Sequence, residues 1–212
     1  MSRTHLGRAT NLTPAQRLLF RALIDEIVAT GQPLATDAAA QRIGLSMRET
    51  ESLLSQLVDA DWAATGEDGA LTAAYPFSVA PTGVTVAWEG AERAVMCAVD
   101  ALGAAPLLGR AVEIRASCPH CEQQIDVTVE PEKLRKRSPR STVVIRRWTV
   151  GPAAGSRCEA TRFACSPDHA QEWLRRNGGP DDVIQSLEAS FIEARGIFAD
   201  AYRSGESTHP RA

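Results

Sequence analysis

The chain has 212 residues, 44% of them hydrophobic and only 5% aromatic, with a net charge of -3. That is enough for one domain of ordinary size plus a smaller one, with a core built on Ala, Leu and Val. The acidic balance and a pI near 5.8 argue against a general nucleic-acid binder. The first residues carry charges with no apolar run behind them, and no stretch reaches 18 apolar residues, so neither a signal peptide nor a membrane span is expected. Five cysteines, an odd count without a signal, suggest a reducing cytoplasm and thiols kept for reactivity or metal.

Residues 1–12 read as a loose tail. Thr13-Pro14-Ala15-Gln16 has the form of a capping box with Pro at the first helical position. The helix it opens carries Leu18, Leu19, Ala22, Leu23, Ile27 and Val28 and stops at Gly31. Thr36 can cap a short helix that ends at Gly44. Ser46 and Glu49 form a second capping box, opening a helix with Met47, Leu53, Leu54, Leu57 and Val58 facing inward. A hairpin follows, with Gly66 and Gly69 at its turn. Three helices and a hairpin make a winged-helix-like unit over 13–80. Its third helix sets Arg48 against Glu49, Glu51, Asp59 and Asp61, the wrong sign for reading DNA, so it is expected to be a packing module.

Residues 81–205 read as an α+β domain: a mostly antiparallel sheet with packed helices, followed by a frayed tail over 206–212. Tyr75–Val79 and Val84–Trp88 have strand character. Val112, Ile114 and Ala116 alternate with Glu113 and Arg115, and Ile125, Val127 and Val129 with Asp126 and Thr128, which is the pattern of half-buried strands. The basic run Lys133 to Arg140 is expected to be a solvated loop. Ser141–Val150 and Arg157–Cys165 read as strands, Ser166–Arg176 as a capped helix, and Pro180 to about Tyr202 as a last helix.

Arg93–Arg110 is a buried apolar segment that Pro106 is expected to bend or end. It holds one thiol, Cys97, and one carboxyl, Asp100, three apart and on one face if helical. Alone, the stretch reads as a core Cys beside a structural Asp. Cys158, from a distant segment, adds a second thiol. Two thiols can clamp a soft cation, and Asp100 can move a proton between them. A thiol at a helix start also sits where negative charge is favoured.

Cys118-Pro-His-Cys121 is half a zinc ribbon set in a hairpin turn. A full site would want a second pair, and Cys158 and Cys165 fall on opposite faces of the expected strand. Weak metal affinity is expected there, with Cys121, Cys165, His120 and His169 incidental.

The chain resembles the alkylmercury (organomercurial) lyases over nearly its whole length. The resemblance rests on Cys97-Ala-Val-Asp100 followed by Pro106 and Gly109-Arg110, on Ser117-Cys118 before a strand ending at Pro131, and on Arg157-Cys158 ahead of Phe163, Ser166 and Trp173. It implies that Cys97, Asp100 and Cys158 are catalytic, that all three contact the Hg(II) product, and that Cys118 is a buried structural thiol. The chain departs from the family in Glu159, where some members carry a second Cys, and in Met96, where an aromatic is common. Cys121 and Cys165 have no counterpart.

The implied reaction is protonolysis of a carbon–mercury bond in small organomercurials, part of mercury detoxification. No cofactor is expected, because mercury arrives with the substrate. Cytosolic thiols or a mercuric reductase would take the Hg(II), and no membrane or nucleic-acid partner is expected. The alternatives are a thiol-based, metal-responsive winged-helix regulator, a mercury-binding protein without lyase activity, and a structural zinc protein using Cys118 and Cys121.

Overall fold

A computed structural model describes residues 12–147, 158 and 160–199. The expectations for residues 1–11, for 148–157, for Glu159 and for the chain beyond 199 lie outside the described residues; Leu12, read as the end of a loose tail, is instead buried in the core. The chain is a mix of helices and antiparallel sheets, the α+β class expected.

Both capping boxes form. Thr13 and Gln16 close the start of α1 (Pro14–Thr30), and Ser46 and Glu49 the start of α3 (Met47–Asp59). Gly31 and Gly44 end α1 and α2 (Thr36–Ile43) in the left-handed conformation, which glycine adopts without steric cost. Thr36 opens α2 rather than capping it; the N-cap is Ala35. The apolar stripe is narrower than its sequence suggested, since Leu18 and Met47 are exposed. After α3 come β1 (Ala63–Thr65), β2 (Leu71–Ala74) and β3 (Phe77–Ser78), a small antiparallel sheet in that order.

The central sheet has five antiparallel strands in the order β5-β4-β6-β7-β8. These are β4 (Val84–Trp88), β5 (Ala91–Ala94), β6 (Val112–Ser117), β7 (Gln124–Glu130) and β8 (Lys133–Ser138). In β6 and β7 the alternation held: Val112, Ile114, Ala116, Ile125, Val127 and Val129 are buried. The basic run is not a loop but the edge strand β8, paired with β7. Exposed Lys and Arg are a common way to keep a sheet edge from pairing further, so charge and strand were compatible.

A third sheet sets β9 (Val143–Arg146) between β10 (Arg162–Ala164) and β11 (Val183–Ser186). The expected strand over 157–165 shrinks to β10, with Cys158 in the turn before it. The expected last helix gives its first residues to β11, and α6 starts only at Leu187 and runs to Phe198. β9 has a free edge that β11 fills, which local helical spacing cannot foresee. α5 (Pro167–Asn177) forms as read, capped by Ser166.

The helix α4 (Ala98–Leu108) runs through the centre, with every residue from Ala98 to Leu107 buried. Pro106 does not end it; Gly109 does. A proline this close to the C-terminus forfeits one backbone hydrogen bond, and burial along the helix outweighs that. α4 packs on α6 through Gly103, whose missing side chain leaves room for the Phe198 ring. One core continues from here into the N-terminal helices. Trp62 stacks edge-on against Phe198, and the Arg93 guanidinium donates to the Ile27, Val28 and Ala29 carbonyls at the end of α1.

Candidate active site

Cys97 is the N-cap of α4, in extended backbone, and Asp100 is the third residue of its first turn. This is the spacing of a capping box, but no side-chain cap hydrogen bond forms and the two side chains bond to each other instead. Here the pair is a thiol and a carboxyl. Cys97 Sγ donates to Asp100 Oδ2 at 3.0 Å. Cys158 Sγ reaches the same oxygen at 3.5 Å. All three are buried, Asp100 to 1% exposure, and their ligand atoms lie within 4.8 Å of one another. One carboxylate oxygen thus faces two sulfurs. A buried carboxyl is tolerable in such a place because it is hydrogen-bonded and stands at a helix N-terminus.

The backbone ties the two thiol-bearing segments together. Ala98 N–H donates to the Thr161 carbonyl, and Thr161 N–H donates to the Cys158 carbonyl, both at 3.2 Å. The Cys158 turn is therefore hung on the start of α4. On the other side, Met96 N–H donates to the Pro76 carbonyl, fixing the strand that enters Cys97. A cavity of about 140 Å³ opens onto the two sulfurs, lined by Thr82, Val84, Met96, Cys97, Cys158, Thr161 and Arg162. It is small, and its lining mixes apolar side chains and two thiols with Thr82, Thr161 and Arg162. A larger hollow of about 490 Å³ lies along β4, β5 and β6, and no thiol lines it.

Cys118 is buried, as expected of a structural thiol, but its surroundings are not those of an inert one. Cys118, Cys121, Cys165 and His169 gather with their ligand atoms within 4.8 Å of one another. Cys165 Sγ lies 2.9 Å from His169 Nδ1 and 3.7 Å from Cys121 Sγ. Cys118 Sγ lies 4.0 Å from His169 Nδ1. Burial pushes the Cys118 thiol up, yet the backbone N–H groups of Cys165, His120 and Cys121, with the Cys165 thiol, bring it down to about 6. Burial, with the hydrogen bonds and charges of Cys118 and Cys121, pushes Cys165 up to about 12. Cys121, Cys165 and His169, expected to be incidental, are thus brought together with Cys118 rather than scattered. The sequence signal for this grouping is Cys165-x-x-x-His169 across a helix start, a second thiol–imidazole pair though not a second C-x-x-C.

The comparisons with known proteins agree with the sequence resemblance. The MerB alkylmercury lyase family model matches residues 77–198, more than half of the chain. An alkylmercury lyase of Staphylococcus epidermidis is 28% identical over 190 residues, covering 88% of this chain and 84% of that protein. One of Bacillus cereus is 26% identical over 180 residues, 84% and 79% of the two chains. One of Streptomyces lividans is 24% identical over 161 residues, 75% and 73%. A crystal structure of the mercury-bound form of MerB2 shares the fold, with a TM-score of 0.76, 22% identity, and 91% of this chain and 93% of that one covered. A fold built to bring two distant thiols to one carboxyl, and a family match that spans all three residues, lead to one conclusion: this chain belongs to the alkylmercury lyases, a family of carbon–mercury bond-cleaving enzymes.

Proposed function

We propose that the chain is an organomercurial lyase that cleaves R–Hg(II) to R–H and Hg(II), with Cys97, Cys158 and Asp100 as its working groups. The observation that carries this reading is the single Asp100 oxygen lying within hydrogen-bond reach of both sulfurs. Sulfur is the donor a soft metal selects. The Cys97 thiol displaces the small ligand X from R–Hg–X, and its proton leaves with X as HX, by way of Asp100. The Cys158 thiol then adds a second sulfur to mercury and hands its proton to Asp100. As the carbon–mercury bond breaks, its electron pair takes that proton from Asp100, giving R–H. Hg(II) remains on two thiolates, with the Asp100 oxygen as a weak third contact. Such general acid work typically contributes about 10²–10⁴-fold in rate.

In this scheme no resident cofactor is needed, and free thiols or a mercuric reductase carry the product away. None of the five cysteines is in a disulfide, which suits a reducing cytoplasm. Among the described residues no helix is long and apolar enough to cross a membrane. The N-terminal three helices and hairpin are read as a winged-helix-like unit turned to packing. Its α3 offers Glu49, Glu51 and Asp59 where a DNA reader offers cations.

The test is hydrocarbon release. Purified protein given methylmercury or phenylmercury in excess free thiol should release one methane or benzene per mercury and turn over. Tight Hg(II) binding without hydrocarbon release would sink the lyase reading and leave a mercury-binding protein.

A further inference from the structure

The second thiol cluster lies outside the chemistry just described, and its arrangement has its own logic. Cys118 follows β6, and Cys121 sits in the turn before β7. That turn is closed by Cys118 N–H to the Gln123 carbonyl and Glu122 N–H to the Cys118 carbonyl, both at 2.9 Å. Glu122 takes φ 60, the left-handed backbone that lets a tight turn present two side chains on one side. Cys165 follows β10, and His169 stands in the first turn of α5, its N–H bonded to the Ser166 hydroxyl. The His120 ring lies against the His169 ring, with centroids 4.7 Å apart. Four donors from two sheets thus meet at one point.

A tetrahedral ion about 2.3 Å from sulfur and 2.0–2.1 Å from nitrogen asks for sulfurs about 3.8 Å apart and sulfur–nitrogen edges of about 3.5 Å. The Cys121–Cys165 edge is 3.7 Å, and the two edges to His169 Nδ1, 2.9 and 4.0 Å, straddle the second value. Three thiols and one imidazole form a Cys₃His set, which closed structural zinc sites use; four protein donors leave no open position of the kind catalytic zinc keeps.

We propose that Cys118, Cys121, Cys165 and His169 form a structural zinc site that staples the β6–β7 turn to the junction of β10 and α5. The site does not depend on the lyase reading. It ties the five-stranded sheet to the sheet of β9, β10 and β11, and it anchors Cys165, seven residues beyond Cys158. With zinc in place, three thiols that would compete for mercury are already engaged.

The full chain, purified under reducing conditions with zinc present and then desalted, should carry one zinc. The double variant Cys97→Ala/Cys158→Ala should keep it, and Cys121→Ser should lose it. Cys121 is exposed, so serine there leaves the core intact, and circular dichroism checks that it does. Apo protein loaded with Co(II) should show sulfur-to-cobalt charge transfer and intense tetrahedral visible bands, and Cys121→Ser should weaken both. A chelator should lower the Tm of the wild type and leave that of Cys121→Ser unmoved. A chain that retains no zinc, or zinc that disappears with Cys97 and Cys158 instead of Cys121, overturns the site. Octahedral cobalt spectra without charge transfer overturn it as well.

Discussion

Two clusters of cysteine occupy this molecule, and they differ in the fourth partner. In the first, two thiols share a buried carboxyl and face a cavity. In the second, three thiols share an imidazole beside a closed turn. A carboxyl can take a proton from one sulfur and deliver it elsewhere, and an adjoining cavity lets a substrate arrive. An imidazole among three sulfurs completes a coordination sphere and leaves nothing to react. On the two proposals above, the same soft donor serves turnover in one place and fastening in the other, and the neighbour decides which.

The sharpest way to break this comparison is to remove the proton carrier. Asp100→Asn keeps the shape and both sulfurs. Hydrocarbon release should fall by about 10²–10⁴-fold while Hg(II) binding persists. A variant with an undiminished rate would strip the first cluster of its distinction. Gly103→Ala acts on the scaffold of that cluster. A Cβ there would run into the Phe198 ring, closer than side chains approach one another, so α4 or α6 must shift. Overpacking of this kind costs about 1–3 kcal/mol, readable as a lower denaturant midpoint, and the second cluster should keep its metal.

A smaller effect separates the sheet behind the second cluster from both. Burial pushes Asp182 up, but hydrogen bonds from Arg147 and the Gly179 N–H more than offset this and hold its carboxyl below the usual range. A carboxyl depressed in the folded state stabilises above its unfolded value, about 3.9, and that stability is lost as pH falls through the folded value. Asp182→Asn should therefore lower stability by about 1–2 kcal/mol at neutral pH, and the gap should close in acid. A gap that persists below pH about 2 would assign the loss to packing instead.

Much of this was legible in the chain because the determinants are local. Thr13 with Gln16 and Ser46 with Glu49 announce two helix starts, and the alternation in β6 and β7 announces a half-buried hairpin. Cys97 and Asp100 are also a local pair, one helical turn apart. What escaped depends on partners far along the chain. β11 is a strand because β9 has an edge to fill, and the charge of β8 protects an edge instead of marking a loop. Cys165 meets Cys121 across 44 positions, through a fold that no spacing rule contains.

The Arg93 guanidinium, seated on the three carbonyls that end α1, has a consequence for how the protein can be cut. The strand it belongs to delivers the chain to Cys97 four residues later. Pro76, just before the segment matched by the family model, holds the Met96 amide beside the same thiol. The amino-terminal helices thus brace the strand that leads to Cys97, without lining the cavity at the two sulfurs themselves. A truncated chain starting at the family boundary keeps every reactive atom and loses the frame that aims one of them.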